Sequence, residues 1–322
     1  MWRSSCRWRF IGGTPGPEVP ESTVASWQSR VLKLLVRWYR SSSERRPFCL
    51  SQARAWVEKL PRYLGIPPDV DVTRNEAGGI PMLCVSPCRP LEDAVVLHFH
   101  GGGYILGSAA MALPLTARIA VATQMRVMSV DYRLAPEHPF PAAVEDAVCA
   151  YRSLREAGLS TSRIFLLGES AGGGLALACL LSLRDRGETL PGTAVLLSPW
   201  LDLEVGAGSS GERAKTDPML TPAMLGLWAS LYMGNLDRRA PLASPLHADP
   251  SGLPPMLIQV GTDDILLGDS VRFAEVARKA GVSIDLELWP GMMHLWHFAA
   301  RWLPEGQQAI RCIGTFLRRH LA

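Results

Sequence analysis

The chain has 322 residues, 48% of them hydrophobic, with seven cysteines and a net charge of +3. It is long and apolar enough to bury a sizeable core, and its charge balance gives no sign of a polyanion partner such as nucleic acid. The cysteines, odd in number and without a C-x-x-C pair, read as reduced thiols of an intracellular protein, and Cys84 and Cys88 lack the second ligand pair that zinc needs.

Residues 1–22 mix Arg, Trp, Gly and Pro without periodicity and read as loosely packed. The opening ten residues hold no apolar stretch of secretory-signal length, and no run approaches the ~20 apolar residues of a membrane span. A cytoplasmic protein is the expectation. Residues 23–40 predict a helix, because Val24, Trp27, Val31, Leu34, Leu35 and Trp38 share one face and Arg30, Lys33, Arg37 and Arg40 lie mostly elsewhere. That apolar face is expected to pack on the protein's own body. The alternative is a helix on a membrane surface, where Trp and basic residues are at home.

From residue 69 onward the pattern alternates. Strand-like runs fall at 69–73, 81–85, 95–99, 127–131, 164–167, 194–197, 256–260 and 284–289, and helical patterns fill 110–123, 142–157, 171–184, 269–280 and 307–320. Such alternation predicts a mostly parallel sheet with helices on both faces. The first two runs, joined through Asn75-Glu76-Ala77-Gly78-Gly79, predict an antiparallel edge hairpin. Between residues 203 and 249 there is no strand signal, only Gly, Ser and Pro clusters around a helical piece at 222–233, as expected of a lid or cap inserted in an α/β body.

Four loops carry the chemistry. His100-Gly101-Gly102-Gly103-Tyr104 follows a strand directly, and such a glycine loop can aim backbone N–H donors at the oxyanion of acyl transfer. Read instead as a phosphate cradle, it lacks both a following Gly-Lys-Ser/Thr and a G-x-G-x-x-G. Gly168-Glu169-Ser170-Ala171-Gly172 is G-x-S-x-G between a strand and a helix, the setting in which the serine projects as a nucleophile. The N–H of Ala171, at the helix start, is a further oxyanion donor beside Gly101 and Gly102. A serine needs a base and an acid to orient it, in the order Ser, Asp/Glu, His for this fold type. Of the four later histidines, His294 stands in the loop after the last strand, where ligands gather; His297 is the second choice, while His247 and His320 are poorly placed. The acid is Asp263 or Asp264, both just past the 256–260 strand, and spacing leaves that choice open.

The glycine loop, the G-E-S-A-G turn and the segment Asp131-Tyr132-Arg133-Leu134-Ala135-Pro136-Glu137-His138-Pro139 together resemble the hormone-sensitive-lipase-like group of α/β-hydrolases, close to its bacterial esterases, over residues 70–318. The resemblance implies an α/β-hydrolase fold and a carboxylesterase for short- to medium-chain esters, without a cofactor or metal. It also implies Ser170, Asp264 and His294 as the triad, favouring Asp264 over Asp263. By the same token residues 1–65 and 203–248 are a cap around a catalytic domain spanning 66–322. This chain has Glu169 and Ile265 where relatives often carry Asp and Pro. His98, His100 and the D-Y-R-L-A-P-E-H-P segment are read as bracing loops rather than moving protons. Alternative readings are a ligand-binding receptor that keeps the pocket, a long-chain lipase and an amidase. A pairing of two copies through an edge strand or the last helix is left open.

Overall fold

The computed structural model describes residues 25–43, 47–204 and 216–321, so the expectation for residues 1–22 and part of that for 203–248 lie outside the described residues. One eight-stranded sheet organises the chain: β1 (Val70–Ala77), β2 (Ile80–Pro87), β3 (Val95–Phe99), β4 (Arg126–Val130), β5 (Ile164–Glu169), β6 (Thr193–Leu197), β7 (Met256–Gly261) and β8 (Ile284–Trp289). Their spatial order is β1-β2-β4-β3-β5-β6-β7-β8, and only β2 runs against the rest. Every residue of β3, β5, β6 and β7 is buried, which explains their mostly apolar character: both faces are covered, and polar members such as His98, Glu169 and Gln259 are buried with hydrogen-bond partners. At the edge, β1 keeps a mostly exposed, polar sequence.

The hairpin is tighter than its sequence suggests. Asn75, Glu76 and Ala77 pair with Met82, Pro81 and Ile80, leaving Gly78 and Gly79 alone as the turn, at φ +60° and +80°. A two-residue turn with both angles positive matches strand twist, and glycine adopts it without steric cost.

Helices α4 (Ala109–Thr123) and α9 (Pro304–Arg319) cover one face of the sheet, with Leu115, Ile119, Ile310, Ile313 and Phe316 packing on Val96, Val127, Phe165 and Val195. The other face carries α5 (Ala142–Glu156), α6 (Ala171–Asp185) and α8 (Leu267–Lys279). Burial of this extent, at about 25 cal/mol per Å² of apolar surface, is the main force holding the body together. From the insertion, α7 (Pro222–Met233) starts at a Thr221 side-chain cap on the Met224 N–H and buries Leu225, Trp228, Tyr232 and Met233. No helix of the described residues is long and apolar enough to cross a membrane.

The N-terminal part forms α1 (Trp27–Ser43), α2 (Leu50–Val57) and α3 (Leu60–Leu64). Here one expectation is overturned. α1 meets the body with its polar face: Ser26 bonds Glu305, Ser29 Oγ donates to the Gly291 carbonyl, Lys33 pairs with Asp263, and Arg40 donates to the Asp217 carbonyl. Trp27, Val31, Leu34, Leu35 and Trp38 remain exposed, because those polar bonds fix the helix with its apolar stripe turned outward.

Candidate active site

The turn from β5 to α6 sets Ser170 at φ +54°, ψ −120°, a conformation that costs a non-glycine residue roughly 1–3 kcal/mol. Small neighbours make it feasible. A Cβ on Gly168 would run into the Gly172 carbonyl, and one on Gly172 into the carbonyl of Phe99 on β3. The strain is held by the Ser170 N–H donating to Leu197 O on β6 and by the Ser170 carbonyl accepting from Gly173, Gly174 and Trp200.

Two loops at the same sheet end complete a relay. His294 reaches the Ser170 Oγ with Nε2 at 3.0 Å, and its Nδ1 lies 3.0 Å from Asp264 Oδ2. All three side chains are buried. Asp264 Oδ1 accepts the Leu266 N–H at 2.9 Å, so the carboxylate is fixed from both sides. The geometry also separates the two aspartates: Asp263 is spent on Lys33 of α1 at 2.8 Å. His297 is buried against Gln259 at 2.9 Å, and burial followed by the neighbouring His294 pushes its pKa down to about 3. His247 pairs with Asp202, and His320 bonds the Phe316 carbonyl; neither joins the relay.

Burial works against a charged His294. The charge and hydrogen bond of Asp264, with further help from Asp217 and Glu169, outweigh it and raise the imidazole above its ordinary pKa. A base raised by its carboxylate partner and seated between that carboxylate and the serine suits proton transfer.

Asp217 escaped the sequence reading. It is buried, its Oδ2 accepts the Ile265 N–H at 2.9 Å, and its Oδ1 accepts from Met219 and Leu220. Burial, and next the Asp264 charge, push its pKa up. Its only sequence signal is a single carboxylate in the apolar run Asp217-Pro218-Met219-Leu220. Ile265 matters to it directly: a proline there would have no N–H to give.

The glycine loop needs a correction. Gly101, expected as an oxyanion donor, gives its N–H to Glu169 Oε1 at 2.8 Å. The other Glu169 oxygen lies 2.5 Å from His98 Nε2, and His98 Nδ1 lies 2.8 Å from Ser129 Oγ, all buried. The glutamate therefore anchors the base of the loop, and Gly101 is structural. Among the described residues the N–H groups of Gly102 and Gly103 make no hydrogen bond. These glycines sit at φ +120° and +63°, so both depend on lacking a side chain. Ala171, first residue of α6, has no partner one turn back.

The polar segment after β4 braces this loop. Tyr132 donates to the His100 carbonyl at 2.7 Å and stacks on its ring; Ala135 N–H donates to Tyr104 O; Glu137 holds Arg54 of α2 at 2.7 Å. Arg54 in turn donates to the carbonyls of Ile105 and Ala135. Above the loop, Tyr104 stacks on Tyr232 of α7 with ring centres 3.9 Å apart, and Trp228 of α7 fills the space a side chain at Gly103 would need.

A serine, histidine and aspartate in hydrogen-bonded series beside free backbone donors is the constellation of a serine hydrolase. Residues 96–298 match the alpha/beta hydrolase fold family. An acetyl-hydrolase of Streptomyces hygroscopicus is 42% identical over 283 residues, spanning 88% of this chain and 93% of that protein. A crystal structure of an esterase from the bacterial hormone-sensitive lipase family is 40% identical with TM-score 0.89, covering 93% of this chain and 100% of that one. A structure of the esterase EstE5 soaked with p-nitrophenyl butyrate is 38% identical with TM-score 0.88, covering 92% and 99%. The chain belongs to the α/β-hydrolase fold family, among its hormone-sensitive-lipase-like esterases, and is a carboxylic ester hydrolase.

Proposed function

We propose that ester hydrolysis runs through an acyl-enzyme on Ser170. His294, neutral with Nδ1–H donated to Asp264, takes the Ser170 proton at Nε2 as Oγ attacks the ester carbonyl. The N–H groups of Gly102, Gly103 and Ala171 receive the oxyanion; Gly103 takes the role first expected of Gly101. The imidazolium then protonates the leaving alcohol, the C–O bond breaks, and water activated by His294 releases the acid. The observation that carries this reading is the unbroken series Ser170–His294–Asp264, with both contacts at 3.0 Å. The same series argues against a receptor, which would need no base.

The substrates we propose carry short to medium acyl chains. Trp228 and Tyr232 of α7 lie directly on the oxyanion loop and limit the room above it, so α7 acts as a cap, and Arg54 of α2 reaches the same loop at the Ile105 carbonyl. A named acetyl-hydrolase and an esterase soaked with a butyrate ester among the relatives support the same range. The test is a p-nitrophenyl ester series from two to sixteen carbons, run with the wild type and Ser170→Ala. Activity should peak at two to six carbons and fall in Ser170→Ala by about 10⁴-fold or more. A peak beyond ten carbons overturns the chain-length assignment, and undiminished hydrolysis by Ser170→Ala overturns the mechanism.

A further inference from the structure

We infer that the outer face of α1 is a docking surface for an anionic lipid bilayer. Amphipathic helices normally turn their apolar stripe to the core. In α1 the arrangement is reversed. Ser29, Lys33 and Arg40 bond the body, while Trp27 and Trp38 stay 70% and 71% exposed, Leu34 and Leu35 64% and 59%, and Val31 45%. Spaced 27-31-34-38, with Leu35 beside them, these five form one continuous stripe along three turns. Several large apolar side chains, two of them Trp, on one solvent-facing helix are more than the scattered apolar exposure of an ordinary surface.

Charge identifies the occupant. The whole-chain value of +3 hides a division: residues 1–66 hold twelve Lys/Arg against four Asp/Glu, net +8, and the remaining 256 residues are net −5. α1 itself carries four basic residues and no acid. Arg30 and Arg37 are exposed along one flank of the apolar stripe. Trp at the polar–apolar boundary with Arg alongside is the chemistry that settles at the headgroup level of a negatively charged membrane. A second copy of this chain fits less well, because two such faces would bring like charges together.

The inner face of the same helix touches both catalytic loops, through Lys33 to Asp263 and Ser29 to Gly291. A bilayer bound to the outer face would therefore lie about one helix diameter, ~10 Å, from those loops. This inference does not depend on the mechanism above, and its readout is binding rather than hydrolysis.

The experiment is co-sedimentation of the full chain with vesicles of phosphatidylcholine alone and of three parts phosphatidylcholine to one part phosphatidylglycerol, at 50 and 500 mM salt. Wild type should partition to the anionic vesicles at least tenfold better than to the zwitterionic ones, and high salt should reduce this. The variant Trp27→Ser/Leu34→Ser/Trp38→Ser should lose at least tenfold. The variant Arg30→Gln/Arg37→Gln should lose about fivefold per charge. Circular dichroism melts check the fold; if the serine variant does not fold, the charge variant decides alone. Equal partitioning of wild type to the two vesicles, none at all, or variants that bind like wild type overturns the assignment. So does a wild-type dimer in sedimentation velocity that the serine variant converts to monomer, since the occupant is then a second copy.

Discussion

The nucleophile turn and the first helix lie at opposite extremes of how a chain holds a side chain in place. Around Ser170 the backbone does the work: β5 is hydrogen-bonded between β3 and β6, and glycines at 168 and 172 allow carbonyls to approach where any side chain would collide. α1 is held by side chains reaching inward, with Leu32 packed on the body and its main apolar stripe in solvent. The first arrangement is rigid because each contact is buried and made by main chain. The second rests on a few side-chain hydrogen bonds and on the partly exposed Lys33–Asp263 pair, which is weak and screened by salt. Catalytic precision and adaptable surface are thus assigned to different physics within one chain.

The largest effect should come from removing the base. His294→Ala leaves Ser170 without a proton acceptor, and kcat should fall about 10⁴-fold with p-nitrophenyl butyrate while the melting temperature changes little. Gly172→Ala should break the same region structurally. Its Cβ would meet the Phe99 carbonyl, which is main chain and cannot swing aside, so a loss of about 3 kcal/mol or more, or failure to fold, is expected in urea melts. A contrasting change is Gly226→Ala in α7. No atom lies within 4 Å of the new Cβ and the site is helical, so about 0.5–1 kcal/mol of added stability is expected. Similar outcomes for the two glycines would contradict the contrast between backbone-locked and permissive regions.

A smaller effect concerns pH. His294 is productive as a base only when neutral, and its pKa is raised despite burial because Asp264, Asp217 and Glu169 favour the charged form. The acid limb of kcat/KM should therefore titrate above 6.5, with activity lost as pH falls through it. Asp217→Asn removes one of those negative charges and should move the limb to lower pH. Asp217→Ala, which also frees the Ile265 N–H, should in addition lower kcat. A limb that stays fixed in both variants would remove Asp217 from the electrostatics of the relay.

What was legible in the sequence follows the same division. All eight strands and the helices of the body could be read: strands covered on both faces are mostly apolar, the edge hairpin is marked by its Gly-Gly turn, and the helices show 3.6-residue periodicity. Ser170 stood out through its G-x-S-x-G turn and His294 through its loop directly after the last strand; choosing Asp264 over Asp263 needed the family resemblance. Gly101 was misread because three adjacent glycines look alike, and nothing local reveals that a glutamate 68 residues away takes one N–H. Asp217 was invisible for the same reason, its partner being an N–H 48 residues on. α2 and α3 went unread since eight- and five-residue helices with no buried residue leave no periodic mark. The helix at α1 was read correctly as a helix, but its orientation was not: periodicity shows that a stripe exists and says nothing of which way it turns.

The finest test of the contrast is Lys33→Ala. Lys33 joins the two regions, linking α1 to the residue next to Asp264, so it could belong to either. Its side chain and that of Asp263 are 21% and 29% exposed, which keeps water and ions close to the pair. A pair of that kind is worth under about 1 kcal/mol. If α1 is a surface element, Lys33→Ala should lower stability by no more than that, and the difference from wild type should shrink at 1 M salt, where the screening length is about 3 Å. kcat should stay within about threefold, because the Asp264 carboxylate is fixed independently by the Leu266 N–H and by His294. A hundredfold fall in kcat would instead make α1 part of the catalytic frame, and the division between a backbone-locked site and a polar-tethered surface would have to be drawn on the outer side of that helix.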